Sequence, residues 1–192
     1  MSQEVRPRGR EDVRQALIQS ATKLFSERGP AAVSVREIAQ QAGVNHGLVH
    51  RHFGSKKGLL KTVVSQLAEE ILDHVGEADD REQLHSLLTS VLGATSQQGA
   101  WLRILAWSIL DGYGIEEIQD RFPLAERMVA AAARDESTSL DPEARVTMVM
   151  SVGLGMLLFG PFLRSATGQD EAQWTRSRQQ IMSLVMRPKS TS

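Results

Sequence analysis

The chain has no cysteine in its 192 residues, which excludes disulfides, thiolate metal sites and cysteine nucleophiles and suits a reducing cytoplasm. Aromatic residues are scarce, with three Trp, one Tyr and five Phe, so any aromatic surface comes down to a few named positions. The opening MSQEVRPRGRED has arginines but no apolar run after them, so it is not patterned as a signal peptide. Catalytic grammar is missing as well: there is no GxSxG elbow, no phosphate-cradling glycine loop, no HExxH and no pair of ExxH motifs for facing helices. Glu69-Glu70 and Glu116-Glu117 are carboxylate pairs, but neighbours on a helix face different ways, so they read as solvated surface rather than acid-base machinery. The expectation is a cytoplasmic protein that is not an enzyme, with no cofactor and no metal.

Only one segment approaches membrane length. Val146 to Leu163 runs 18 residues without a charge, at the lower bound for a span. It is interrupted by Thr147, Ser151, three glycines and Pro161, and it stands alone, so it reads as a core helix and no membrane is expected. Charge is uneven along the chain. The net value is −1, yet residues 1–60 hold ten Lys and Arg against five Asp and Glu, while residues 61–192 hold twelve against eighteen. A basic front ahead of an acidic body orients a molecule on a polyanion.

The basic front contains the most informative segment, VSVREIAQQAGVNHGLVHRHFGSKKGLL from Val33 to Leu60. Ahead of it, Val13, Ala16, Leu17, Ala21, Leu24 and Phe25 recur at helical spacing until Gly29-Pro30 stops the run. Ser34 followed three positions later by Glu37 forms a capping box, which opens a helix with Ile38, Ala39 and Ala42 on its buried face. Gly43 ends that helix, Val44 plugs the corner, and Asn45 offers a side-chain oxygen to the amides of a second helix from about His46 to His52. This is a helix-turn-helix.

At about 100 degrees per residue, Val49 and Phe53 point inward and Gly47, His50 and Arg51 point outward, flanked by Leu48. Glycine lets backbone approach a groove, an arginine fork matches guanine O6 and N7, and an exposed leucine with no core to serve suits a thymine methyl. His52 lies toward the buried side. Ser55 then caps a helix whose first turn carries Lys56 and Lys57, a phosphate-attracting start. His46 and His50 have the i, i+4 spacing of a helical metal pair, but no carboxylate lies nearby in sequence, so the metal reading is set aside.

Helical patterning continues to the end of the chain, with no strand pattern. A long helix over Leu59, Leu60, Val63, Val64, Leu67, Ile71 and Leu72 should end near Gly76. Asp80 with Gln83 opens a helix over Leu84 to Leu92. Trp101 to Leu110 is apolar on nearly every face and is predicted to be a central buried helix, closed by Gly112 and Gly114. Ile115 to Ala133 should be kinked or split by Pro123. Asp141-Pro142-Glu143 is a helix start with an N-cap and an N1 proline. In the helix that follows, Gly153 and Gly155 should admit a close neighbour and Pro161 should bend the end. Asp170 with Gln173 caps the last helix.

The run AGVNHGLVHRHFGSKKGLL, with an amphipathic helix before it and a helical body after it, resembles the N-terminal domain of the tetracycline-repressor (TetR) family of bacterial transcription regulators, over roughly residues 12 to 62. The resemblance implies an all-α fold of about nine helices: a flexible arm over 1–10, a three-helix DNA-binding domain over 11–54, a helical ligand-binding and dimerisation domain over 55–187, and a tail over 188–192. It puts Arg36, His46, Gly47, Leu48, His50, Arg51, His52 and Lys56 at DNA-contacting positions, with Asn45 at the helix start counted among them. Where the family usually has a phosphate-reaching tyrosine, this chain has His50, whose charge is pH-sensitive.

The resemblance further implies a repressor on palindromic double-stranded DNA, a homodimer through helices over about 141–166 and 171–186, and an effector pocket among the middle helices. There Trp101, Trp107, Tyr113, Phe122 and Met128 are candidates to line the pocket, with Arg103 and Asp111 as polar anchors. The alternative is a DNA-bound adaptor whose helical body recruits a protein and takes no small effector.

Overall fold

The computed structural model describes residues 7, 9–75, 99–134 and 140–186. These contain nine helices and no strand: α1 (Arg10–Arg28), α2 (Val35–Gln41), α3 (Gly47–Phe53), α4 (Lys56–Val75), α5 (Gly99–Leu110), α6 (Ile115–Ile118), α7 (Pro123–Ala133), α8 (Pro142–Ala166) and α9 (Glu171–Met186). The helix expected after Asp80, most of the N-terminal arm and the tail lie outside the described residues. Arg10, expected in the N-terminal arm, is instead the first residue of α1.

The chain forms two compact units. The first comprises Met1–Glu70 with Gln98–Arg121, and the second Ile71–Gln97 with Phe122–Ser192. The unit holding the helix-turn-helix thus reaches well past residue 54.

In the first unit, apolar residues at three- and four-residue spacing converge from five helices. Leu17, Ala21 and Phe25 of α1 meet Ile38 and Ala39 of α2, Val49 of α3, Leu59, Leu60, Val63 and Val64 of α4, and Ile104 of α5. α5 corrects the expectation of a central buried helix. It packs one stripe against α1 and buries Leu102, Ile104 and Ser108, while Trp107 is 41% exposed, Ile109 51% and Leu110 80%. An all-apolar helix carries no sequence signal for which stripe is covered, and here only one is. Ser108 is accommodated by donating back to the Ile104 carbonyl at 2.7 Å. Gly112, at φ 80°, ends the helix, and the next amide, of Tyr113, reaches the Ser108 carbonyl at 3.0 Å.

Pro123 splits the following stretch, as expected: α6 ends at Ile118 and Pro123 occupies the first turn of α7.

In the second unit, Met128, Ala131 and Ala132 of α7 pack with Val146 and Val149 of α8, flanked by Met182 and Val185 of α9. α8 is the one helix among the described residues long and apolar enough to cross a membrane by composition, and it packs against α7 and α9. It runs on through Pro161 to Ala166 as one helix. A close approach falls at Gly160, where a Cβ would stand 3.4 Å from the Trp174 ring; Gly153 is buried, and a Cβ on Gly155 would meet nothing within 4 Å. Asp141 stands at the N-cap of α8 without a side-chain hydrogen bond. Asp170 and Gln173 exchange reciprocal bonds at 2.8 Å ahead of α9, as their spacing predicts.

Candidate nucleic-acid interface

The helix-turn-helix is held by short-range bonds that its sequence encodes. The Glu37 amide donates to Ser34 Oγ at 3.2 Å, and the Ser34 amide donates to Glu37 Oε2 at 2.8 Å, completing the capping box. Arg28 donates to the other Glu37 oxygen at 2.8 Å and to the Ala32 carbonyl at 3.1 Å. The Ser34 amide first, then its hydroxyl and Arg28, pull the Glu37 carboxyl down to about 2 from an ordinary 4.5. The acid beside the candidate interface is therefore ionised and already matched by Arg28, so it does not repel a phosphate unopposed.

At the turn, Gly43 adopts φ 67°, and the Val44 amide reaches the Ala39 carbonyl at 3.0 Å. Only glycine takes that left-handed conformation without strain. Val44 is half-buried on the core. Asn45 Oδ1 accepts from the Gly47 amide at 2.8 Å. A Cβ on Gly47 would stand only 3.2 Å from that oxygen. The glycine thus serves the cap as well as leaving the outer face of α3 bare.

On α3, Val49 is fully buried, while His46, Gly47, His50 and Arg51 are exposed, as is Arg36 on α2. Leu48 departs from the expectation of an exposed leucine without a core. It is half-buried and packs against the first unit's core. With only two turns, α3 uses both flanks of Val49 for packing. His52 is half-buried, its ring 6.0 Å from that of Phe53, and the Arg14 guanidinium lies 5.9 Å from the Phe53 ring centre. His50 Nδ1 lies 3.2 Å from the Gly54 carbonyl oxygen, and the Gly54 amide donates to the His50 carbonyl at 2.9 Å.

The two lysines that open α4 are engaged inside the molecule. Lys56 Nζ donates to the carbonyls of Pro30 at 2.9 Å and Val33 at 3.0 Å, which ties α4 to the α1–α2 turn. Lys57 pairs with Glu117, which raises the lysine pKa and lowers that of the carboxylate. Ser55 Oγ accepts from the Gly58 amide at 3.0 Å, the cap its position predicts. The lysine partners lie 23 and 26 residues back, or 60 ahead, beyond any local reading.

The same turn is braced from α5. A Cβ on Gly29, at φ 80°, would stand 3.2 Å from the Trp107 ring, and Asp111 Oδ2 accepts from the Ala31 amide at 3.3 Å. Lys61 adds bonds to Asp120 at 2.6 Å and the Glu116 carbonyl at 3.1 Å.

These contacts bear on the seven candidate pocket residues, which the structure does not gather in one unit. Trp101, Arg103, Trp107, Asp111 and Tyr113 belong to the first unit, and Phe122 and Met128 to the second. Trp107 and Asp111 brace the α1–α2 turn. Tyr113 packs on the core with Lys57 Nζ 5.9 Å from its ring, and burial first, then Asp111, pushes its hydroxyl pKa up. Trp101 is half-buried, with its indole N–H enclosed and without a hydrogen-bond partner among the described residues. Arg103 is exposed, Phe122 is exposed, and Met128 is core. A groove of about 390 Å³ between α1 and α4 is lined by Gln15, Gln19, Lys23, Gln66 and others, and by none of the seven.

Comparison with known proteins agrees with this geometry. The family model described as bacterial regulatory proteins, tetR family, matches residues 17–63. The chain is 40% identical over 183 residues to the HTH-type transcriptional repressor Rv3405c of Mycobacterium tuberculosis, covering 94% of this chain and 91% of the relative. The same figures hold for the HTH-type transcriptional regulator Mb3439c of Mycobacterium bovis. Its fold matches the crystal structure of the TetR family transcriptional regulator PfmR from Thermus thermophilus with a TM-score of 0.64 at 18% identity, over 93% of this chain and 98% of the other. A capped helix-turn-helix with a bare, basic outer face and this degree of kinship together place the chain in the TetR family of bacterial DNA-binding transcription regulators.

Proposed function

We propose that the protein is a homodimeric repressor that holds a palindromic operator with two copies of α3 and releases it when a small molecule binds the helical body. The observation that carries the DNA reading is the exposed face of α3. Gly47, His50 and Arg51 stand together, with His46 and Arg36 beside them, on a helix anchored from behind by Val49 and held at both ends by short-range bonds. Arg51 presents a fork suited to guanine, and the half-sites would lie about 34 Å apart, one turn of the duplex. A 40% identical relative named as a transcriptional repressor supports the sign of regulation.

Two further features support the rest of the reading. α8 and α9 expose Phe159, Phe162, Ile181 and Leu184, an apolar surface of the kind two subunits bury against each other. Within the first unit, Trp107, Asp111 and Glu117 connect the α5–α6 segment to the turn before α2 and to the start of α4. A shift of α5 would pass directly to the DNA-binding helices. Moving such an equilibrium from 1:99 to 99:1 takes about 5.5 kcal/mol of differential binding, which sets how well the effector must discriminate.

The adaptor reading has its own support in Ile109 and Leu110, which are exposed at the end of α5 and suit a protein partner. The deciding experiment recovers genomic fragments bound by the full-length protein, derives the operator, and screens small molecules for its release. A palindrome released by a small molecule supports the effector-controlled repressor. Operator binding that no small molecule relieves, together with a co-purifying protein, supports the adaptor. No enriched sequence removes both.

A further inference from the structure

We propose that His50 is a proton-gated phosphate donor, so that each subunit takes up one proton at this ring as the operator complex forms. The proposal rests on the reading of α3 as the DNA-facing helix and concerns how its central histidine engages the backbone.

The argument begins with the ring's partner. His50 Nδ1 lies 3.2 Å from the Gly54 carbonyl oxygen. A carbonyl oxygen only accepts, so Nδ1 must carry the hydrogen. A neutral imidazole has a single N–H, which leaves Nε2 as a lone pair. That lone pair cannot donate to a phosphate oxygen; the two would repel. Once Nε2 gains a proton, the ring donates on both sides and its outer bond becomes a charge-assisted N–H···O contact.

The carbonyl that selects this tautomer is itself fixed. Gly54 caps α3 at φ 73°, and its amide donates to the His50 carbonyl at 2.9 Å. Residue and cap therefore hold each other, and reversing the tautomer would break the Nδ1 bond.

Among the described residues, no carboxylate is paired with the His50 ring. On α3 and at its N-cap the titratable and charged groups are His46, Arg51 and His52. From α1 comes Arg14, paired with Glu11, and from α2 come Arg36 and Glu37, the latter bonded to Arg28. From α4 come Lys56, bonded to the Pro30 and Val33 carbonyls, and Lys57, paired with Glu117. Each anion in this set already faces a cation. Gly54 is the partner the structure gives His50 among the described residues. The missing negative charge is one that DNA brings, and phosphate and proton then bind together.

The test uses the full-length protein, a duplex carrying the operator recovered from genomic DNA, and a scrambled duplex of equal length. Calorimetric titration in two buffers of different ionisation enthalpy should report uptake of about one proton per subunit, and operator affinity should fall as pH rises through the histidine range, by up to about tenfold per pH unit for each linked proton. His50→Gln, whose amide donates at any pH, should bind with a flatter profile and lose that uptake. In the uncomplexed protein, nitrogen NMR should show the His50 hydrogen on Nδ1. A hydrogen on Nε2, or a His50→Gln variant with wild-type slope and uptake, overturns the proposal. A pH-flat wild type whose operator binding is still weakened by Arg51→Ala overturns it while leaving α3 on DNA. Indifference to Arg51→Ala removes the underlying reading as well.

Discussion

In the first unit Phe25, Val49 and Leu59 are fully enclosed, and the charges flanking α3 bond within the molecule, Glu37 to Arg28, Lys56 to two carbonyls and Lys57 to Glu117. In the second unit Phe159 and Phe162 stand 60% and 69% exposed on α8, and Leu184 is exposed on α9. The contrast separates two uses of a helix. The first unit must present a few side chains in fixed geometry, so its own bonds over-determine the backbone beneath them. The second leaves apolar surface open along two helices, α8 and α9, where the first does so at the end of α5, and open apolar surface is the condition for association with another chain.

The largest effect should come from attacking each unit at a phenylalanine. Phe25→Ala removes an enclosed ring and should cost about 3–5 kcal/mol in denaturant unfolding, with DNA binding lost alongside. Phe162→Ala removes an exposed ring and should leave the unfolding of the isolated subunit nearly unchanged while weakening self-association in sedimentation equilibrium. Equal destabilisation of the subunit by both variants would erase the contrast.

Lys56→Met comes next. If its ammonium belongs to Pro30 and Val33, the variant should lose about 1.5–3 kcal/mol of stability and keep the salt dependence of DNA binding. A salt slope flatter by about one, at unchanged stability, would return Lys56 to the role of a phosphate contact. Arg51→Ala should leave stability alone and cost roughly 1–3 kcal/mol of operator affinity, relaxing preference at one position per half-site. An equal loss on every sequence would make Arg51 a backbone contact.

The smallest effect is acid dependence. Because Glu37 is depressed from 4.5 to about 2 in the folded state, its contribution to stability is present above about pH 4.5 and disappears as pH falls toward 2. Glu37→Gln should remove that segment of the stability curve. An unaltered curve would show that the box holds without the charge.

Much of the fold was legible because its signals are local. Ser34 with Glu37, Asn45 with Gly47, Ser55 with Gly58 and Asp170 with Gln173 are pairs two or three residues apart, and each makes the bond its spacing implies. The outward set on α3 was also readable, since a helix of known phase with Val49 inside leaves Gly47, His50 and Arg51 outside. Helical phase alone puts Leu48 outside, whereas it is half-buried against the core, because burial depends on what lies against a flank, which phase does not report.

Backbone bonds over a few residues and side-chain periodicity were enough to settle the described helices, the caps at Ser34, Asn45, Ser55 and Asp170, the glycine turn at Gly43 and the basic front. Tertiary structure alone decided that α5 buries one stripe rather than all, that Trp107 and Asp111 brace the α1–α2 turn, and that Lys56 serves the fold at Pro30 and Val33. It also exposed the bond from His50 to the Gly54 carbonyl. Those outcomes depend on where a side chain's tip ends among groups brought together by folding, and an ammonium, an indole or an imidazole carries no mark in its spacing of which carbonyl or turn it will meet.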